Sequence, residues 1–197
     1  MSIDTTMWTA SGRQIDLIEI LPSDIELWDI AASLSMQSRF LGHTAGLKRK
    51  HAPLHLRFYS VAQHCLQVSL RCPAECALEG LMHDAAEAYM GDITRPMKAL
   101  LERVAPGALK SIERQVEQAI ALQFGLTYPW PAAVHAADDL CCRIEKNNFW
   151  PTMGRGDESG LPVLPAIELQ TLMPGEAASL FTRVFYDLSA KRSAAQR

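Results

Sequence analysis

The sequence predicts an all-α fold, a single helical bundle with a short extended hairpin before it. Three observations predict it. Apolar residues recur at helical spacing in segment after segment. Cap and stop residues sit where those segments begin and end. No internal repeat and no linker composition divides the 197 residues, so one domain spans 1–197. Its core is expected over about 23–150, with a loop and closing helix in 151–197.

The elements follow in order. Trp8 to Ile20 has Gly12, β-branched residues and little helical period, which suits extended strands or a small hairpin. Ser23-Asp24-Ile25-Glu26 reads as a capping box opening a helix to about Gln37, with Leu27, Ile30, Ala31 and Leu34 on its apolar face. Gly42 to His55 is basic and irregular and reads as a loop, long enough to act as a lid. Ser60 caps a helix to about Arg71. Pro73 starts another that ends at Gly91, and Pro96 opens a short one. Ala108 to Phe124 is amphipathic, with Leu109, Ile112, Val116, Ala119 and Ile120 on one face and Gly125 as its stop. Pro131 opens a helix to about Phe149. Met153 to Pro165 is a Gly/Pro-rich loop, and Glu176 to about Leu188 is the last helix. Phe149, Trp150 and Leu161 look exposed and hint at an interface.

Composition narrows the function. A net charge of -3 gives no general attraction to nucleic acid or to an anionic membrane, so positive charge for an anionic substrate must be local. The start Met1-Ser2-Ile3-Asp4 has no signal-peptide character, and no apolar run approaches the length of a membrane span. The five cysteines form no CxxC pair. Cys72 and Cys76 are one turn apart, but no second pair completes a zinc clip, so they read as small buried hydrophobes in a reducing cytosol.

The residues that carry chemistry centre on His83-Asp84, adjacent in an apolar helical stretch. They are costly to bury unless something pairs with them. A divalent metal held by two imidazoles and two carboxylates would do so. His64 supplies a second imidazole. Asp138 and Asp139 compete for the second carboxylate. At about 100° per residue Asp138 lies beside Val134 and Cys141 on the inward face, while Asp139 points away with His135, Arg143 and Lys146. Glu87, one turn beyond His83, shares its face and is placed to handle protons.

The order His…His-Asp…Asp resembles the HD-domain phosphohydrolase superfamily. The blocks Tyr59 to Val68, Met82 to Glu87, Gly91 to Lys98 and Ala137 to Cys141 together are similar to bacterial 5′-deoxynucleotidases and their phage relatives, phage dATP triphosphohydrolases among them. The likeness runs from about Arg39 to Glu145, roughly half the chain. Met7 to Arg13 also looks like the opening of phage and prophage members. The resemblance implies that His64, His83, Asp84 and Asp138 bind one divalent ion, Mn2+, Co2+, Zn2+ or Mg2+. It implies that Glu87 positions or deprotonates water and that Asp92 lies near the substrate sugar. Arg39 then contacts the nucleotide, and Lys98 ends the Gly-Asp-x-x-x-Pro-x-Lys block. Phe40 stands where the deoxynucleotidases carry Trp against the sugar 2′ position, which leaves ribose against deoxyribose open. Homodimers are implied as well.

The expected activity is hydrolysis of a (deoxy)nucleoside phosphate by a cytoplasmic enzyme that binds neither nucleic acid stably nor membrane. A 5′-nucleotidase acting on monophosphates leads. A dNTP triphosphohydrolase, served by Lys48-Arg49-Lys50, is the alternative, and a non-catalytic nucleotide sensor stands behind both.

Overall fold

The structure, a computed structural model, describes residues 4–44, 58–150 and 171–195. The basic loop at 45–57 and the Gly/Pro-rich loop with Leu161 lie outside the described residues. Two short strands, β1 (Thr6–Trp8) and β2 (Gln14–Asp16), pair antiparallel with Met7 opposite Ile15. The rest is helical: α1 (Leu27–Met36), α2 (Val61–Arg71), α3 (Ala77–Met82), α4 (Glu87–Met90), α5 (Arg95–Val104), α6 (Ala108–Phe124), α7 (Ala132–Phe149) and α8 (Pro174–Ala195).

Local chemistry sets most boundaries. The Ser60 hydroxyl accepts the Gln63 N–H (3.2 Å), and the Gln63 side chain accepts the Ser60 N–H, so α2 opens on a capping box. Gly125 ends α6 with φ 62, a left-handed conformation that glycine adopts without cost. The expected opening of α1 differs. Pro22–Asp24 forms a separate 3-10 turn, in which the Asp24 carboxylate accepts the Leu21 N–H (2.9 Å). The helix itself starts at Leu27, so the capping signal belongs to the turn before it.

One core holds the bundle. Ile30, Ala31 and Leu34 of α1 are fully buried against Ala177, Phe181 and Phe185 of α8, and Val61 and Leu81 add the α2 and α3 faces. Each such large side chain contributes about 1.5–3 kcal/mol by leaving water. Ile15 and Ile20 of the N-terminal segment join the same core, which therefore draws on residues outside 23–150. A second cluster, with Val68, Trp130, Val134 and Cys141, packs α2 against α7. The amphipathic face of α6 is only half used. Val116, Ala119 and Ile120 are buried while Ile112 is exposed, because the start of α6 leaves the bundle in a hairpin with α5. Among the described residues no helix is long and apolar enough to cross a membrane.

Candidate metal centre and its cavity

Three helices bring the chemistry together. α2 delivers His64, the end of α3 delivers His83 and Asp84, and α7 delivers Asp138 and Glu145. Their packing is tight at Gly80. A Cβ there would stand 2.5 Å from Cys72 Sγ and 3.2 Å from Ser69 Cα, so only glycine lets α3 approach α2 this closely.

The sequence reads Pro73 to Gly91 as one helix, and the structure breaks it at the site. Bonds from Ala85 N–H to Met82 O (3.0 Å), Glu87 N–H to Asp84 O (2.9 Å) and Ala88 N–H to Ala85 O (3.1 Å) are of the tighter 3-10 kind. At three residues per turn Asp84 aligns with Glu87, rather than His83 with Glu87 as the α-helical period predicts. Asp84 and Glu87 accordingly line the main cavity together, while His83 lies behind them.

The donor atoms converge. His64 Nε2 lies 3.1 Å from Asp138 Oδ1 and 3.5 Å from Asp84 Oδ2. His83 Nε2 lies 3.3 Å from Asp84 Oδ1 and 3.9 Å from Asp138 Oδ1. An ion with bonds of about 2.1 Å spaces its ligand atoms roughly 3–4.2 Å apart, so these gaps suit one cation. The tautomers suit it as well. His64 Nδ1–H donates to Glu145 Oε1 (2.6 Å), and His83 Nδ1–H donates to the Gly80 carbonyl (2.9 Å). Both Nε2 lone pairs then face the centre. His83 Nε2 is buried with no hydrogen-bond partner, an expensive arrangement unless an ion takes it. His64, His83 and Asp138 can thus hold a metal ion, with Asp84 beside them. Cys65 also approaches His83 and Asp84, but burial and the Asp84 and Glu87 charges push its thiol well above its usual range, which keeps it protonated.

Electrostatics favour a cation here. Arg39 is the buried positive charge already present. Its Nη2 lies 3.1 Å from His64 Nε2, and the guanidinium sits 3.5 Å from Asp84, 3.9 Å from Asp138 and 3.4 Å from Glu145. Burial pushes Asp138 up, but the His64 hydrogen bond and the surrounding positive groups outweigh it and hold the carboxyl well below its usual range. Burial and Arg39 push His64 down, yet Glu145 and Asp138 raise it to about 9, so a metal at Nε2 must compete with a proton. Burial lowers His83. Glu87 is pushed up to about 10, by burial first and then by Asp84 and Asp92, and its Oε2 has no partner. It also faces a second space of about 30 Å³ shared with His83, Glu113 and Glu117, room for one water.

The centre forms the floor of a cavity of about 450 Å³. Arg39, Phe40, Asp84, Glu87, Asp92, Lys98 and Asp138, all singled out in the sequence, line it. Lys98 is held by Glu113 (2.9 Å). Burial raises Asp92, against Arg39 and the nearby Phe40 N–H, which lower it. Phe40 and Leu41 stand at φ 55 and 54, a left-handed strain of about 1–3 kcal/mol per residue beside the site. Asp139 faces outward, bonded to Arg95 (2.8 Å).

The sequence reading missed three residues. Glu145 is 1 % exposed and bonds His64, Tyr59 and Arg39. Its spacing, two turns past Asp138 on α7, was the available signal. Arg95 reaches within 3.6 Å of Asp138 and lines the cavity. Trp150 is in the cavity wall, and Phe149, expected at the surface, is fully buried against Tyr59 (5.3 Å between ring centroids) because α7 carries it inward.

No family model matches the chain. It is 34% identical over 194 residues to the uncharacterized protein YfdR of Escherichia coli (strain K12), across 95% of this chain and 97% of that one. It is 35% identical over 146 residues to an uncharacterized protein of Rhodobacter capsulatus, across 68% of each chain.

Proposed function

We propose that this chain, which belongs to the family of the Escherichia coli protein YfdR, is an HD-type, metal-dependent phosphohydrolase of (deoxy)nucleoside phosphates. One observation carries the reading. Two buried imidazoles, His83 with an unpartnered Nε2 and His64 with its Nε2 on the same centre, meet two carboxylates on the floor of a cavity that also holds Glu87 and Arg39. His64, His83, Asp84 and Asp138 would hold the ion. Two imidazoles favour Mn2+, Co2+ or Zn2+ over Mg2+. When bound, the ion supplies Lewis acidity toward a phosphoryl oxygen and a lowered pKa for water.

The chain's own groups do the rest. Arg39 presents a planar fork of donors to phosphate oxygens, and Glu145 and Asp84 fix its orientation. Glu87, unpartnered at Oε2, is placed to hold the attacking water, and it can take the water's proton once a bound cation offsets the Asp84 and Asp92 charges that keep its carboxyl protonated. Asp92, at the Phe40 backbone, is placed to meet the sugar hydroxyls. The leading substrate is a deoxynucleoside 5′-monophosphate, cleaved to nucleoside and phosphate in the cytoplasm, by an enzyme proposed to work as a homodimer. A dNTP triphosphohydrolase is the second reading, favoured by Arg95, Lys98 and Lys146 on the same cavity.

The test is incubation with dAMP and with dATP, each with Mn2+, Co2+, Zn2+ or Mg2+, with phosphate and tripolyphosphate resolved. Phosphate from dAMP supports the first reading and tripolyphosphate from dATP the second. Activity on neither, with any metal, overturns both. Glu87→Gln is expected to lower kcat by about 10²–10⁴. Nucleotide binding that survives it without turnover in the parent chain would point to the sensor.

A further inference from the structure

The cavity has two chemically different ends. One is the charged floor of Asp84, Glu87 and Asp138. The other is a wall of Phe40, Leu41 and Trp150. The Phe40 and Trp150 rings meet edge to face, with centroids 5.0 Å apart and planes at 85°, so they form a right-angled corner.

Both sides of that corner are fixed by groups that also order the metal centre. Phe40 follows Arg39, whose guanidinium carbon lies 5.4 Å from the Phe40 ring centroid. Trp150 ends α7, the helix of Asp138 and Glu145, and its N–H donates to Lys146 O (2.8 Å). Phe149 beneath it is anchored on Tyr59, whose hydroxyl donates to Glu145 (3.1 Å). Asp138, Cys142, Lys146 and Trp150 follow one another at one-turn intervals, and all four line the cavity. Yet Trp150 is 39% exposed and Leu41 68% exposed. A rigidly held aromatic face left uncovered inside a cavity fits a flat, apolar-faced group on the ligand. With a cation on the floor and Arg39, Arg95 and Lys98 around it, the ligand's other end can be an anion.

We propose that Trp150 is the nucleobase platform of this site. The base stacks in the Phe40–Trp150 corner while the phosphate lies at the Asp84–Asp138 end. The proposal rests on the phosphohydrolase reading above. A stacking face accepts every base, so selection among bases is expected to be mild.

The experiment compares a deoxynucleoside 5′-monophosphate with deoxyribose 5-phosphate, the same ester without a base, in the full Mn2+-loaded chain and its Trp150→Ala and Trp150→Phe variants. The ratio of kcat/KM for the two esters is expected to fall about tenfold to a hundredfold in Trp150→Ala and to recover in Trp150→Phe. An unchanged ratio in Trp150→Ala overturns the proposal. Nucleotide quenching of indole emission gives a readout that needs no turnover. It is expected in the parent chain and absent in Trp150→Phe, since Trp8, Trp28 and Trp130 lie outside this cavity. Equal quenching in both overturns the platform. If neither ester is hydrolysed, the monophosphate reading falls, and quenching alone then decides the platform.

Discussion

Gly80 of α3 stands between two acidic centres, one at Glu79 and one around Asp84 just past the helix end, and the two are built to opposite ends. Glu79, 1 % exposed, is closed: the Arg192 guanidinium donates to one oxygen and the Thr127 N–H (3.0 Å) to the other. Arg192 also bonds the Gly125 carbonyl (3.3 Å), so α8 is tied to α3 and to the end of α6. The centre around Asp84 is open. Asp84, Asp138, Glu145, Glu87 and Asp92 gather around Arg39 and His64, fewer positive groups than carboxyls, and His83 Nε2 and Glu87 Oε2 are left unpartnered. A buried charge that the protein satisfies by itself is structure. A surplus of buried charge that it leaves unsatisfied is a binding site.

The sharpest break is to remove what the open centre lacks. Chelation, or His83→Ala, is expected to lower phosphohydrolase kcat by about 10³-fold or more, because an ion contributes several kcal/mol to the developing charge. Metal analysis of the parent chain should give about one equivalent, and His83→Ala far less. Stoichiometric metal in His83→Ala would place the ion elsewhere.

Glu79→Gln asks the reverse question. Breaking a buried pair costs about 3–5 kcal/mol because the Arg192 charge loses its partner. For a chain of this size that is a fall in Tm of about 6–20 °C by calorimetry. Metal content and kcat at low temperature should stay near those of the parent. Loss of metal at full stability would merge the two centres.

Glu145 stands between the cases, a buried carboxylate satisfied by Tyr59 and Arg39 that also orients a metal ligand through His64 Nδ1 (2.6 Å). Glu145→Gln keeps the shape and loses the charge, so metal affinity should weaken about 10–100-fold by competition titration. An unchanged affinity would make Glu145 a second Glu79.

The two centres were unequally legible in the sequence. Ser60, Gly91 and Gly125 mark helix ends by local chemistry, and they stand where the structure has those ends. The phase that separated Asp138 from Asp139 was also local, and the structure turns Asp138 inward and Asp139 out. The 3-10 turn at His83–Ala86 was not legible, because a sequence period cannot show where packing tightens a helix. Glu79 carried no signal, and Glu145 only the weak one of lying two turns past Asp138, for another reason. Their partners lie far along the chain, at Arg192, Tyr59 and His64, and in sequence each looks like an ordinary solvated glutamate.

The smallest expected effect is also the one that couples the two centres. Gly80 follows Glu79 directly, and its carbonyl accepts the His83 Nδ1–H (2.9 Å). Gly80→Ala should gain about 1 kcal/mol from helix propensity. Against this, the new Cβ meets Cys72 Sγ at 2.5 Å and Ser69 Cα at 3.2 Å, and overpacking of that kind costs about 1–3 kcal/mol. The net loss of stability is therefore small, about 0–2 kcal/mol. The geometric effect is larger than the energetic one, because relief of the clash must move α3 away from α2 and widen the gap between His83 and His64. Metal affinity should fall while Tm barely changes. Adding Cys72→Ala removes the nearer contact and leaves the 3.2 Å one, so affinity should recover in part. If Gly80→Ala lowers Tm and metal affinity in proportion, the close approach serves the bundle. If affinity falls alone, it serves the metal centre.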